Sequence, residues 1–401
     1  MATPDGTTPA ADDVVIVAGA RTPTGKLLGA LSAIPATDLG ATAIRAALAG
    51  ADVDGGDVDA VVMGQVLQAG VGQNPAKQAA LAAGISPRAH TVTVNKVCLS
   101  GLTAVIDAAR LLRSGEARVV VAGGMESMSQ APHLLPQLRA GQKYGDGALV
   151  DHLAHDGLTS AELHTSMGEL TERHATDYPA TRREQDEIAL ASHRRAAAAF
   201  DSGRAQRQII PVTVTTRRGT TVVDRDEGVR EDATAESLAA LRPAFTAEGT
   251  ITAANSSQIS DGAAAVVLTT RAIAEDRGWP VLATLRAVGQ VAGPDASLQD
   301  QPAAALRAAL TRQDWEAADL DLVEINEAFA AVVAHSVRAL GLDPDIVNPD
   351  GGAIAMGHPI GASGARLVVS AAHALHAGEA TRAGVALCGG GGQGEALLLT
   401  I

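Results

Sequence analysis

Two cysteines, one histidine framed by glycines and one asparagine carry the chemistry that this sequence can offer. Cys98 lies in Val94-Asn-Lys-Val-Cys-Leu-Ser-Gly-Leu-Thr-Ala-Val105, which reads as a strand-to-helix turn. A thiol at a helix N-terminus feels the positive end of the helix dipole, which favours the nucleophilic thiolate. The blander reading is a small core residue, the commoner fate of a lone cysteine. His358 stands among five glycines and a proline in Gly351–Arg366, a tight turn able to hold an imidazole against a substrate. A histidine there could equally anchor its loop by hydrogen bonds. Cys388 closes an apolar strand and precedes Gly389-Gly-Gly-Gly-Gln-Gly394. Glycines let backbone amides approach a ligand and form an oxyanion hole. Asn326 follows the apolar stretch Leu320–Ile325 and reads as the N-cap of the next helix, from which it could also hold a water.

Two segments imitate nucleotide sites and fail. Ala20-Arg-Thr-Pro-Thr-Gly-Lys-Leu27 resembles a phosphate loop, but Ala20 replaces its first glycine and Leu27 its magnesium-binding hydroxyl. Gly389, Gly391 and Gly394 have dinucleotide spacing, yet only seven residues follow Gly394. That leaves no room for the helix and second strand of such a unit. The two cysteines and eleven histidines show no metal-ligand spacing, so no metal is expected. A net charge of −14 lacks the basic footprint of a nucleic-acid binder, although a few arginines could still hold phosphates.

The elements that must position these residues follow an α/β pattern. Aromatic residues are only 2% of the 401, so the core must be built from Ala, Val, Leu and Ile. Val14–Ala18, Val119–Ala122 and Val385–Leu387 read as buried strands. Thr37–Ala49, Gly101–Arg113, Glu184–Phe200, Ala303–Thr311 and Ala365–His376 read as helices. Continuous apolar strands alternating with Ala-rich helices predict largely parallel sheets. From about Gln130 to Ile251 the pattern changes to histidines, charges and weak strand signal, apart from a hairpin at Val212–Thr216 and Thr220–Asp224. This stretch reads as a partly helical insertion covering a site, and the α/β pattern resumes at Gly262–Leu268.

A faint repeat links the two ends. Asn95–Gly124 and Asn348–Gly392 each run Asn, turn, Ser-Gly, Ala-rich helix, Gly-Glu-Ala, strand, glycines. Cys98 and His358 occupy comparable turns, so a pseudo-twofold would bring them into one site. No apolar run reaches the ~18–20 residues that span a bilayer. Met1–Asp13 is polar, with neither an apolar signal core nor an Arg-rich face, and two cysteines are too few for a disulfide framework. The expectation is a cytoplasmic protein.

Taken together, Val14–Lys26, Val94–Val105, Val121–Pro136, Arg242–Val267, Glu324–Ala330, Gly351–Arg366 and Ala386–Glu395 resemble the thiolase family, in the right order over nearly the whole chain. The order and the Cys388 segment look most like an acetyl-CoA acetyltransferase. The resemblance implies two related α/β halves in a five-layered αβαβα core: residues 1–129 completed by 252–272, and residues 273–401. Residues 130–251 would be the loop domain over the coenzyme A site. It implies acyl-CoA and coenzyme A as substrates, no cofactor, no nucleic-acid or membrane partner, and a homotetramer or homodimer.

By resemblance, Cys98 is the acylated nucleophile, His358 activates it, and Cys388 is the acid/base for the second substrate. Asn326, through a water, would join His358 in one oxyanion hole, and the amides of Cys98 and Gly390 would form the other. Ser257, Arg230 and Ser237 align with coenzyme contacts, and Leu158, Met167 and Phe329 with the acyl pocket or pantetheine channel. Ser166 departs from well-known biosynthetic members, which have His before the Met. The alternatives are a degradative 3-ketoacyl-CoA thiolase of broader chain length, a decarboxylating ketoacyl synthase and a non-catalytic acyl-CoA-binding protein. Cys388 separates the thiolases from the synthases, because direct deprotonation needs an added base and decarboxylation does not.

Overall fold

Alternate residues of each central strand belong to different apolar layers, and this alternation builds the molecule. In the computed structural model, residues 10–217 and 219–401 are described, so the reading of the first nine residues and of Arg218 lies outside them. The N-terminal half contains β1 (Val14–Arg21), β2 (Gly25–Lys26), β3 (Ala60–Gly64), β4 (His90–Val94) and β5 (Val119–Ser127). Its helices are α1 (Ala36–Gly50), α2 (Pro75–Ala82) and α3 (Ser100–Ser114). The middle stretch holds the strand pairs β6 (His133–Leu134) with β7 (Val150–Asp151) and β8 (Val212–Thr216) with β9 (Gly219–Val223). It also holds α4 (Met167–Arg173), α5 (Arg182–Asp201) and α6 (Ala235–Ala239). Then follow β10 (Ser260–Thr270), α7 (Arg271–Arg277), β11 (Ala283–Ala292), α8 (Gln301–Gln313) and β12 (Leu322–Ile325). The chain ends with α9 (Ala330–Leu340), α10 (Ala353–Met356), α11 (Ser363–His376), β13 (Arg382–Gly389) and β14 (Gln393–Thr400).

Val14 and Ile16 face the same apolar layer as Leu102 and Ile106 of α3 and Leu367 and Leu375 of α11. Val15 and Val17 face the opposite way, onto Leu39 and Ile44 of α1. The other half mirrors this: Leu397 and Leu399 of β14 join the α3/α11 layer, while Leu398 packs with Leu306 and Leu310 of α8. The layers are therefore α1/α2, sheet, α3/α11, sheet, α8/α9. Each fully buried Leu or Ile contributes about 1.5–3 kcal/mol. A largely aliphatic core suffices because α11 is buried on nearly all sides and α3 exposes only Arg110, Arg113 and Ser114.

The strands form one ten-stranded path, β12-β13-β14-β11-β1-β10-β5-β3-β4 with β2 on β10, joined at its middle by β1 and β11. The expectation of largely parallel sheets is wrong. Only β3–β4, β3–β5 and β12–β13 are parallel, and the remaining pairs are antiparallel. Continuous apolar runs signal burial of both strand faces. Helices cover both faces here whatever the strand direction.

The repeat predicted from sequence is a physical contact. A Cβ on Gly101 would lie 2.8 Å from the Ala365 nitrogen, and one on Gly364 would lie 2.8 Å from Leu102 Cβ. The two Ser-Gly pairs thus interlock where α3 and α11 begin, which sets the Cys98 and His358 turns side by side.

Candidate active site

Cys98 follows Val97, a β-branched residue held at φ 51°. Such a conformation is costly for valine and has to be imposed by its surroundings. Here Asn95 Oδ1 accepts from the Val97 amide at 3.0 Å, and Ser100 Oγ donates to the Val97 carbonyl at 2.6 Å. The half-buried Cys98 packs into the cluster of Val66, Leu67, Met128 and Ile360. Burial pushes its thiol up to about 11. The amides of Gly390 and Cys98 itself pull the other way, and the Glu126 carboxylate adds a smaller upward push. Burial thus outweighs the pull that the helix terminus exerts toward the thiolate. Desolvation dominates, so this thiol would need a base in order to react.

His358 is a candidate, carried by the turn whose following helix packs on α3. It is buried, and burial, with Arg366 second, pushes its imidazole down to about 3, so the ring is neutral near pH 7. Ser363 Oγ donates to the Pro359 carbonyl at 3.0 Å and sits 2.6 Å from His358 Nδ1. A hydroxyl has one proton, so it must accept from Nδ1–H, and this network assigns the free lone pair to Nε2. Nε2 faces Asn326 Nδ2 at 3.5 Å.

Asn326 is fully buried and does not cap a helix, contrary to expectation, since α9 starts at Ala330 behind Phe329. Its amide donates to the Ala386 carbonyl at 3.0 Å, and its Oδ1 has no hydrogen-bond partner among the described residues. The neighbouring Glu327 carboxylate accepts from Ser192 Oγ (2.6 Å), Asn348 Nδ2 (3.0 Å) and the Ile354 amide (3.0 Å). It thereby ties the Asn326 turn to the segment leading to His358.

Cys388 ends β13, 1% exposed, against Phe329, Leu298 and Val332. Burial, and after it Cys98, push its thiol far above the ordinary value. The turn beyond it presses on the nucleophile turn: a Cβ on Gly389 would sit 2.6 Å from Leu99 Cγ.

A cavity of about 560 Å³ reaches this group at His358 and is lined also by Leu158, Met167, Ser257, Phe329 and Met128, while Cys98, Cys388, Asn326 and Gly390 lie outside its lining. Ser166 also lines it, its hydroxyl engaged with Glu169 at the start of α4. Arg230 and Ser237 are exposed and outside this lining. Arg230 donates its amide to His193 Nδ1 at 3.1 Å, and Ser237 serves the Thr234 cap of α6. A second cavity, about 600 Å³ between α5 and α9, touches none of the predicted residues.

The rejected phosphate-loop imitation is occupied by acids. Asp226 accepts from the Thr24 amide and pairs with Arg21, and Glu227 accepts from the Lys26 and Ala30 amides. No group of metal-binding side chains occurs among the described residues, and no described helix is long and apolar enough to cross a membrane.

Sequence reasoning missed the supports. Ser363 was visible only as half of a repeated Ser-Gly pair. Glu126, which accepts from the amides of Val66 (3.0 Å), Leu67 (3.1 Å) and Gly361 (2.9 Å), gave no signal. Neither did Glu395, taken up below.

A Cys98 turn packed against the turn after Cys388 and against the helix start that follows His358 suits acyl transfer of cysteine type. The family description "Thiolase, N-terminal domain" matches residues 14–272 and "Thiolase, C-terminal domain" matches residues 279–401, so this chain belongs to the thiolase family. It is 54% identical to a probable acetyl-CoA acetyltransferase of Mycolicibacterium smegmatis, over 96% of this chain and 100% of the relative. It is also 47% identical to acetyl-CoA acetyltransferases of Cupriavidus necator and Escherichia coli, over 96% of this chain and 98% of each.

Proposed function

We propose that this chain is an acetyl-CoA C-acetyltransferase, joining two acetyl-CoA into acetoacetyl-CoA and coenzyme A through an acetyl-cysteine, and running thiolysis in reverse. The single observation that carries this is the packing of the Cys98 turn against both the turn after the buried Cys388 and the helix start that follows His358. The names of relatives that share about half of its residues support the acetyl specificity.

The steps follow from the groups present. His358 Nε2 takes the Cys98 proton, and the thiolate attacks the acetyl carbonyl while the amides of Cys98 and Gly390 hold the oxyanion. As the carbon–sulfur bond to coenzyme A breaks, Cys388 gives its proton to the departing sulfur. The Cys388 thiolate, made strongly basic by burial, then removes a proton from the methyl carbon of a second acetyl-CoA. The imidazolium of His358, with a water on Asn326 Oδ1, stabilises the enolate oxygen. The enolate carbon attacks acetyl-Cys98, and the released thiolate regains its proton from His358.

Leu158, Met167, Phe329 and Ser257 in this proposal line the pantetheine and acyl channel, and Arg230 and Ser237 meet the outer part of the coenzyme. Residues 130–251 form the loop domain that closes over it, between the halves 1–129 with 252–272 and 273–401. The assembly is a homotetramer or homodimer in the cytoplasm. A second reading, a thiolase of broader chain length, draws on the small Ser166 in the cavity wall. Mass spectrometry of enzyme mixed with acetyl-CoA tests the main reading. One acetyl group on the peptide bearing Cys98 supports it, and acetylation elsewhere or nowhere sinks it.

A further inference from the structure

The two amides that the proposed mechanism sets on one oxygen need a restraint that the nucleophile turn does not itself contain. The local hydrogen bonds of residues 95–100 tie the turn to itself, and Asn95 reaches only Val66 of the same half at 3.4 Å. The amide of Gly390, by contrast, comes from the other half, in the turn between β13 and β14. Val97 already lies against that turn: a Cβ on Gly390 would be 3.4 Å from Val97 Cγ1. An oxyanion hole assembled from two halves works only if their separation is held within a fraction of an ångström, since a misplacement of about 1 Å can cost about 10²-fold in rate.

Glu395 of β14 meets that requirement. Its carboxylate is fully buried, and it accepts from three elements: Lys96 Nζ at 2.6 Å, Gln290 Nε2 at 2.6 Å and Thr103 Oγ1 at 2.8 Å. Lys96 precedes Cys98 by two residues, Thr103 stands in the first turns of α3, and Gln290 pairs with Glu395 across β11 and β14. The adjacent Gly394 pairs with Cys388. Only Lys96 brings a positive charge, so the buried carboxylate depends on it. The pair spans 299 residues of sequence and ties the nucleophile turn directly to the strand that carries the glycine turn.

We propose that Glu395 is a positioning residue of the acyl-transfer site: its ion pair with Lys96 locks the two halves so that the Cys98 and Gly390 amides converge on one thioester oxygen. This rests on the acyl-transfer reading above. It predicts a selective defect. Transfer from a thioester needs the oxyanion hole, whereas alkylation of Cys98 by iodoacetamide needs only the thiolate.

The experiment compares wild type, Glu395→Gln and the double variant Lys96→Met/Glu395→Gln, which leaves no unpaired buried charge and so guards against loss of folding. Single-turnover acetylation by acetyl-CoA is expected to fall about 10²-fold in both variants, with the KM of acetyl-CoA within about threefold. Iodoacetamide alkylation of Cys98 should stay within about threefold. Acetylation at the wild-type rate in the folded double variant would overturn the proposal. So would equal losses in acetylation and alkylation, because a general loosening of the site predicts that. A wild type that fails to acetylate at all would instead remove the acyl-transfer reading, and this inference with it.

Discussion

His358 Nδ1 and Ser363 Oγ stand 2.6 Å apart, and because that hydroxyl donates to the Pro359 carbonyl, the contact decides which ring nitrogen can act as a base. Burial keeps the ring neutral, and Ser363 keeps its lone pair on Nε2. In the proposed mechanism the activation of Cys98 thus depends on a serine five residues beyond His358 in the same turn.

Replacing Ser363 by Ala should lower kcat by about 10–10² while leaving KM nearly unchanged, since orientation of the base is lost and coenzyme contacts are not. The Pro359 carbonyl keeps the amides of Ala362 and Ser363, but the buried His358 Nδ1–H loses its acceptor, which adds a stability loss of about 1–3 kcal/mol. Steady-state kinetics with urea unfolding checks both. An unchanged kcat would mean that His358 is held by other means.

Cys388→Ala divides the reaction. The variant should still release one equivalent of coenzyme A slowly on mixing with acetyl-CoA, by acetylating Cys98, yet form no acetoacetyl-CoA. Condensation at the full rate would remove Cys388 from the mechanism. Loss of acetylation to the level of Cys98→Ala would make Cys388 indispensable to the first step as well.

Buried acids give this fold a pH dependence of opposing signs. Burial raises Glu126 from 4.5 to about 7, so the folded state holds a proton that the unfolded chain has lost. Its stabilisation is complete below about pH 4.5 and is lost as pH rises through 7. Glu324 behaves alike. His358, lowered from 6.5 to about 3, contributes above 6.5 and loses its contribution as pH falls toward 3. In Glu126→Gln, the slope of unfolding free energy against pH between about 5 and 6.5 should become more positive by up to about 1.4 kcal/mol per unit. An unchanged slope would show that Glu126 ionises as an ordinary surface acid.

Much of this was legible along the chain, and what was not has physical causes. The Ser100-Gly101 and Ser363-Gly364 repeat identified two turns that meet, because glycines at a helix crossing mark close backbone approach. Cys98, His358 and Cys388 were visible as reactive types in glycine-rich turns. Strand direction was not, since Val14–Val17 are apolar on both faces in either orientation. Asn326 read as a cap because Asn before an apolar stretch usually is one, whereas here a loop intervenes before Ala330. At Cys98 the sequence shows the helix terminus but not the burial that outweighs it. Glu395 and Lys96 could not be paired without the fold.

Thiolysis of 3-ketoacyl-CoAs, from acetoacetyl-CoA to long chains, by wild type and Cys98→Ser tests the central claim most directly. The account predicts activity confined to the shortest substrate and abolished by the substitution. Activity rising with chain length would move the enzyme to the broader degradative thiolases, and no activity on any of them would contradict acyl transfer through Cys98 and Cys388.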